Sequence, residues 1–320
     1  MSEGLVIRSL SDSDRPLWKR FIYESQNGTL FHDLDFLAYH PASRFRSRHL
    51  LFWEKGNLVA VFPAADQEEN GEKVLISHPG ASWGGLVFPK GLKAEDVNDL
   101  ILGLVSYARE EKIERIVITL SPEFYSEKPD HALRFALHLS GFRVVKRQLS
   151  GAVALSFFPS CLKKTALQKA QQSRRTGVRV VRSDDYRAFY PVLVQNRAKH
   201  GATPTHSLDE LLRIDQLIPG RLALFLAEHE SRPIAGALLF LVNGNVALSF
   251  YIAHKEEYKQ HRATNLLLME TMQWAQQEGF RYYDMGTSMI GEKPNWSLVA
   301  FKESFGAQGF LRDTYELVLT

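Results

Sequence analysis

The stretch YYDMGTSMIGEKPNWSLVAFKESFGAQGF, Tyr282 to Phe310, holds the order of elements on which the fold turns. Arg281 to Met285 predicts a strand that runs out at Asp-Met-Gly, Leu298 to Phe305 a short helix, and Phe310 to Leu319 a last strand. Upstream, His261 to Glu278 predicts a long helix. Before it, Leu222 to Glu228 and Ile234 to Val242 form a hairpin about Ser231-Arg232-Pro233, and Ala247 to Ile252 follows the tight turn Asn243-Gly244-Asn245.

The first half of the chain runs in the same order. His49 to Ala65 predicts a hairpin turning at Lys55-Gly56-Asn57, and Lys73 to Ser77 and Gly85 to Phe88 continue the sheet around the small-residue loop HPGASWGG, His78 to Gly85. Ala94 to Glu111 carries Val97, Leu100, Ile101, Leu104, Val105 and Ala108 at helical spacing, IERIVITL (Ile113 to Leu120) is a buried strand, and His131 to Leu139 is a helix ended by Gly141. EKIERIVITL (Glu111 to Leu120) answers to QEGFRYYDMG (Gln277 to Gly286), and RFALHLSGF (Arg134 to Phe142) to AFKESFGAQGF (Ala300 to Phe310), both about 166 residues apart. An offset of that size is a domain rather than a solenoid repeat. The expected fold class is α/β (α+β): two copies of one mixed, mostly antiparallel unit flanked by helices. The boundary is expected near residues 150 and 151, with residues 307–320 packing back on the first copy.

Composition excludes several classes. A hydrophobic share of 45% and a charged share of 23% fit an ordinary globular chain, and 320 residues suit two cores better than one. No apolar run is long enough to span a membrane, no signal peptide is read, and a single cysteine, Cys161, rules out an internal disulfide. A cytoplasmic protein is expected. The net charge of +3 conceals a block: residues 131–183 hold eleven Lys and Arg and no carboxylate, which leaves −8 for the rest. A single-signed block points to an anionic partner such as a phosphate group or nucleic acid; a solvated basic face is the plainer alternative. The block includes SFFPSCLKKTALQKAQQSRRTGVRVV (Ser156 to Val181), read as a helix capped by Ser160 and ended by Gly177. Two more helices, Ser183 to Lys199 and Ser207 to Leu217, bracket the loop His200 to His206.

This order of elements resembles the GNAT acyltransferase fold, and two copies joined by a basic helix resemble the Fem family of peptidoglycan aminoacyltransferases. The resemblance rests on three segments. They are the strand ending Asp284-Met285-Gly286 followed by Phe301-Lys302-x-x-Phe305-Gly306, the helix KK…K…RR before Gly177-Val-x-Val180, and, more loosely, NGTLFHDLDFL (Asn27 to Leu37). The resemblance implies transfer of an amino acid from an aminoacyl-tRNA onto an amine of a cell-wall precursor carrying a pyrophosphate. It further implies that Lys302 sits by the reacting centre, with Phe301 packed beside it. The repeat isolates Lys302 as well, since Phe301-Lys302 aligns with Phe135-Ala136, where the charge is missing.

Two departures bear on the substrates. Acetyl-CoA-using GNAT proteins hold pyrophosphate on a glycine-containing loop at the start of the long helix. The matching segment here, YKQHRATNLL (Tyr258 to Leu267), has no glycine and offers Arg262 and His261 instead. The loop HPGASWGG lacks the acidic residue common in wall-precursor enzymes.

The remaining candidates are weaker. Asp284 is read as a proton acceptor or a loop cap, Arg174 and Arg175 as a grip on phosphate, and Trp83 as a platform for a sugar or base or, equally, a cover over the interface between the two copies. Tyr251 and His254 are read as lining the cleft at the end of a central strand. Cys161, beside Lys163 and Lys164, would favour a thiolate, although a structural cysteine is the more ordinary reading. The histidines lack metal-ligand spacing, so no metal is expected. No tightly bound cofactor is expected; the donor is aminoacyl-tRNA or acyl-CoA, the partners tRNA and a phosphate-bearing precursor, and DNA is not among them. Three activities stay open: aminoacyl transfer, acyl-CoA-dependent transfer in polysaccharide or lipid modification, and a non-catalytic tRNA or polyanion binder.

Overall fold

A computed structural model describes residues 4–199 and 201–319; His200, at the start of the predicted loop, lies outside them. The chain divides into two compact units, Met1–Gln148 with Leu311–Thr320, and Leu149–Phe310.

The first unit contains β1 (Leu5–Ser9), α1 (Arg15–Glu24), α2 (Leu34–Leu37), β2 (Arg46–Ser47), β3 (Leu50–Glu54), β4 (Asn57–Phe62), β5 (Ala64–Glu69), β6 (Glu72–Ser77), α3 (Ala94–Glu110), β7 (Arg115–Thr119) and α4 (Ala132–Leu139). Strand β8 (Arg143–Ala154) then carries the chain into the second unit. The helix at 94–110 buries the apolar stripe its spacing predicts, over a core built on Phe52, Phe62, Leu75 and Ile116.

The expected single hairpin at 49–65 is a correction. β3 and β4 do pair about Lys55-Gly56, but Phe62 is followed by Pro63, and the next residues form β5 in another sheet, against β6 and β2. Proline has no N–H for a ladder, so the long strand breaks there and serves two sheets. Gly85 to Phe88 likewise makes only a single bridge, Val61 to Val87, rather than a strand.

The second unit continues with α5 (Lys164–Arg175), β9 (Arg179–Ser183), α6 (Tyr186–Ala198), α7 (Leu208–Leu217), β10 (Leu222–His229), β11 (Arg232–Leu241), β12 (Val246–His254), α8 (Ala263–Gln277), β13 (Tyr282–Thr287), the small hairpin β14 (Met289–Ile290) and β15 (Lys293–Pro294), α9 (Trp296–Glu303) and β16 (Gln308–Val318), which ends in the first unit. Strands β9 to β12 pair antiparallel in sequence, β12 and β13 are parallel, and the second half of β8 closes on β13 antiparallel. α5 and α8 cover one face of this sheet over Phe225, Leu239, Leu267 and Met272. Ser160 does not cap α5: its hydroxyl is spent on the Phe157 carbonyl at 2.6 Å, and the helix starts later with Lys163 as N-cap.

Both units share the mixed arrangement of one parallel strand pair, joined through a long helix, among antiparallel neighbours. In each, the parallel pair is short. β6 and β7 match over Val74 to Ile76, and β12 and β13 over Val246 to Leu248.

Candidate active site

The two parallel pairs end differently. In the first unit the loop after β6 returns to the end of β7: Gly84 bridges Leu120, its N–H donates to the Thr119 carbonyl at 2.9 Å, and the Thr119 N–H donates to Ser77 Oγ at 3.0 Å. In the second unit β12 parts from β13 after Leu248 and runs on to His254, paired only with β11. Phe250 is the extra residue of a bulge between Leu238 and Leu239, which bends β12 away at that point. A fork between parallel strands thus stays unlaced in the second unit alone, among the described residues.

In the middle of β13, Asp284 is buried, and its Oδ1 accepts the Gly286 N–H at 2.7 Å and the Ser150 hydroxyl at 3.1 Å. Lys302 reaches the same loop from the last turn of α9. Its Nζ donates to the carbonyls of Gly286 (2.6 Å) and Thr287 (2.8 Å), and the side chain is only 4% exposed. Gly151 on β8 allows that approach, because a Cβ there would meet Lys302 Cδ at 3.1 Å. Burial pulls the Lys302 ammonium down to about 8, with the Asp284 charge opposing the shift. Two of the three ammonium donors are committed to carbonyls, which leaves one N–H for a further acceptor. A small cavity opens beside it, lined by Ser150, Gly151, Ser288, Lys302, Glu303 and Gln308 among others.

Gly306 fixes how α9 enters β16. It has φ +84°, and a Cβ would lie 2.6 Å from Cys161 Cβ and Sγ. Phe301 is half-buried, meets Phe305 edge-on at 5.3 Å and packs against the apolar core of the second unit.

At the other side of the fork, His254 ends β12, with Nδ1 3.4 Å from Thr264 Oγ1 in the first turn of α8. Arg262 is the N-cap of α8 and takes φ +56°, the left-handed conformation glycine adopts most readily. The segment without a glycine therefore keeps a left-handed backbone and adds an exposed guanidinium to the helix N-terminus.

Several sequence expectations change. Trp83 is 2% exposed, donates its indole N–H to Thr29 Oγ1 at 3.1 Å and packs on Phe31 and Tyr125, so neither ring face is open to a sugar or base. Tyr251 is buried rather than lining a cleft: its hydroxyl bonds the His206 N–H at 3.0 Å and approaches His206 Nδ1 at 2.8 Å. Burial pushes its phenol up, and the Arg197 guanidinium of α6 lies over its ring at 5.7 Å. Arg174 is paired with Glu270 on α8, so its charge is already met. Burial pushes the Cys161 thiol up, contrary to a favoured thiolate.

The basic block is likewise divided by the fold. Arg134 and Arg147 share the buried carboxylate of Asp313, and Arg182 lies over the rings of Phe225 and Trp274. Lys163, Lys164, Lys169 and Arg175 remain exposed along α5, whose buried side is Ala166, Ala170 and Ser173.

Ser150, Gly151, Gly286 and Thr287 belong to the site and escaped the reading of the sequence. For Gly286 a signal was present, since an Asp two residues before a glycine is an Asx-turn pattern. Among the described residues no group of His, Cys, Asp and Glu is arranged to hold a metal, and no helix is long and apolar enough to cross a membrane.

Comparison with known proteins places this geometry. Residues 163–294 match the family model for the acetyltransferase (GNAT) domain. No curated protein matches the chain. Among solved structures, FemX superposes with a TM-score of 0.74 at 14% identity, covering 98% of this chain and 97% of that one. The C-terminal domain of a putative lysylphosphatidylglycerol synthetase from Agrobacterium fabrum gives 0.61 at 14% identity, covering 95% and 91%. A tandem GNAT protein from the clavulanic acid biosynthesis pathway gives 0.59 at 12% identity, covering 98% of each. The chain has the Fem-like tandem GNAT fold, and its second unit carries the acyltransferase domain of that fold.

Proposed function

We propose that the protein transfers an acyl or aminoacyl group to an amine by direct aminolysis in the second unit, with Lys302 as the electrostatic group of the site. The observation that carries this reading is the buried ammonium held on two carbonyls at the end of β13, with one donor left over and a cavity beside it. Attack of a neutral amine on an ester or thioester puts negative charge on the carbonyl oxygen, and a fixed cationic donor in a desolvated place stabilises that charge. Asp284 holds Gly286 and with it the loop that positions Lys302; the amine's proton passes to water or to the departing group, an oxygen from an ester or a sulfur from a thioester.

Aminoacyl-tRNA is the donor we favour, and an amine on an anionic glycan or peptide precursor the acceptor. The exposed face of α5 supports the donor: Lys164 and Arg175 are eleven residues apart, which places them about 16 Å apart on nearly the same helix face. That spacing exceeds the gap between neighbouring phosphates and suits two phosphates a few nucleotides apart along one nucleic acid strand. Acyl-CoA is the second reading, favoured by the left-handed Arg262 at the N-terminus of α8, where backbone and guanidinium together suit a pyrophosphate.

Full-length protein offered charged tRNA or acyl-CoA with a panel of amines tests both. Turnover with one donor, lost in Lys302→Met while the melting profile is kept, supports the reading. Salt-sensitive tRNA binding with no turnover on any donor would leave only a polyanion-binding module.

A further inference from the structure

We propose that the surface around α9 docks on an anionic lipid bilayer, with Phe157, Ile290 and Trp296 as the side chains that enter the lipid. These are the most exposed large apolar side chains of the second unit, at 65%, 69% and 68%; Val194 follows at 40%. Exposed single apolar residues are ordinary, but three so prominent around one short helix are not.

Each is tied to α9. Trp296 is its first residue. Ile290 stands on the hairpin β14–β15, whose base is closed by the Asn295 N–H on the Ser288 carbonyl at 2.8 Å, and Asn295 is the N-cap of α9. Phe157 precedes a turn fastened to the other end: its carbonyl accepts the Cys161 N–H, and Lys163 N–H donates to the Ser304 carbonyl at 2.9 Å. Eight residues make α9 about 12 Å long, so its two ends are within one small footprint.

Charge selects the partner. Ile290 pairs with Lys293 across the two-residue turn, which sets an apolar tip and an ammonium on one face of the hairpin. Lys163 and Lys164 are exposed at the other end, and Glu292 in the hairpin turn and Glu303 on α9 are exposed carboxylates. Lysines that flank protruding Trp, Ile and Phe side chains can keep their charges among headgroups while the apolar tips sink past them. A protein partner would instead need a continuous apolar face; these three project from separate segments.

Flotation of the full chain with vesicles of phosphatidylcholine alone and of phosphatidylcholine with phosphatidylglycerol tests the proposal. Wild type is expected to float with the mixed vesicles. The triple variant Phe157→Ser, Ile290→Ser, Trp296→Ser is expected to lose at least tenfold in bound fraction, with its melting temperature kept because all three side chains are exposed. Absence of wild-type flotation would overturn the proposal. Equal flotation of the triple variant would overturn it too, placing adsorption on the basic face of α5. A wild-type dimer in sedimentation velocity that the triple variant dissolves would give the surface to a second copy instead. None of these readouts depends on transfer activity.

Discussion

Asp284 and Lys302 hold one residue between them: Asp284 takes the N–H of Gly286 at 2.7 Å, and Lys302 donates to the carbonyl of the same glycine at 2.6 Å. The loop at the end of β13 is thus fixed by a carboxylate and an ammonium that sit close enough to interact electrostatically. Removing either should loosen the loop, but only one of them offers a donor to a reacting oxygen.

Lys302→Met keeps the packing of the stem and removes the charge. Transfer should fall roughly 10²- to 10³-fold, the usual effect of losing one such donor, while circular dichroism stays that of wild type. Asp284→Asn should reduce transfer less, because the amide oxygen still accepts the Gly286 N–H. Parallel turnover and melting measurements on the two variants check this.

The depressed Lys302 pKa has a consequence for stability. Unfolded, the amine titrates near 10.5; folded, near 8. Between those values the unfolded chain binds a proton that the folded chain does not, so stability rises with pH across that window and is level below it. Wild type should therefore gain on Lys302→Met by on the order of 3 kcal/mol between pH 8 and 10.5. Urea titrations of both proteins across that range measure the difference.

Asp313 joins two arginines of the first unit through one buried carboxylate. Its side chain is 3% exposed and meets Arg147 at 2.8 Å and Arg134 at 3.4 Å. Asp313→Ala leaves two guanidinium groups facing each other across the lost carboxylate. The expected cost is about 3 kcal/mol, read as a lower denaturant midpoint, with little change in donor binding by the second unit.

Gly306→Ala should be more damaging than its size suggests. Its φ of +84° and the 2.6 Å approach to Cys161 together exclude a methyl group without movement. A loss of about 2 kcal/mol is expected, with reduced transfer, since α9 and Lys302 must shift with it. Calorimetry and turnover on the same preparation would show the two losses together.

On α5, Lys164→Glu with Arg175→Glu should weaken tRNA binding and flatten its salt dependence by roughly two units of log-log slope. Unchanged slopes would move the polyanion elsewhere.

Much of this fold was legible because local chemistry settles it. The turn at Lys55-Gly56, the stripe of α3, the long helix after β12 and the glycine after α4 are written within a few residues of where they act. Lys302 was singled out by the family resemblance, with support from the comparison of two copies, since Ala136 stands where its charge would be; its burial was not legible. What the sequence hid depends on partners far along the chain. Trp83 is buried by Thr29 and Phe31, Tyr251 by His206, and Arg174 is met by Glu270. A basic block read as one feature is divided by Asp313 and Glu270, neither of which lies within it. The left-handed turn at Arg262 was hidden because a rule that looks for glycine misses a residue held in glycine's conformation by its surroundings.

The bond from Gly84 to the Thr119 carbonyl closes the first unit's strand pair, while the matching pair in the second unit parts. Two units of one fold would then be under unequal selection. In the closed half, substitutions are filtered for whether the chain still folds. In the open half, where the proposed transfer site lies, they would be filtered for which donor is accepted, so a change of specificity should be recorded mostly between residues 150 and 303 and seldom before residue 148.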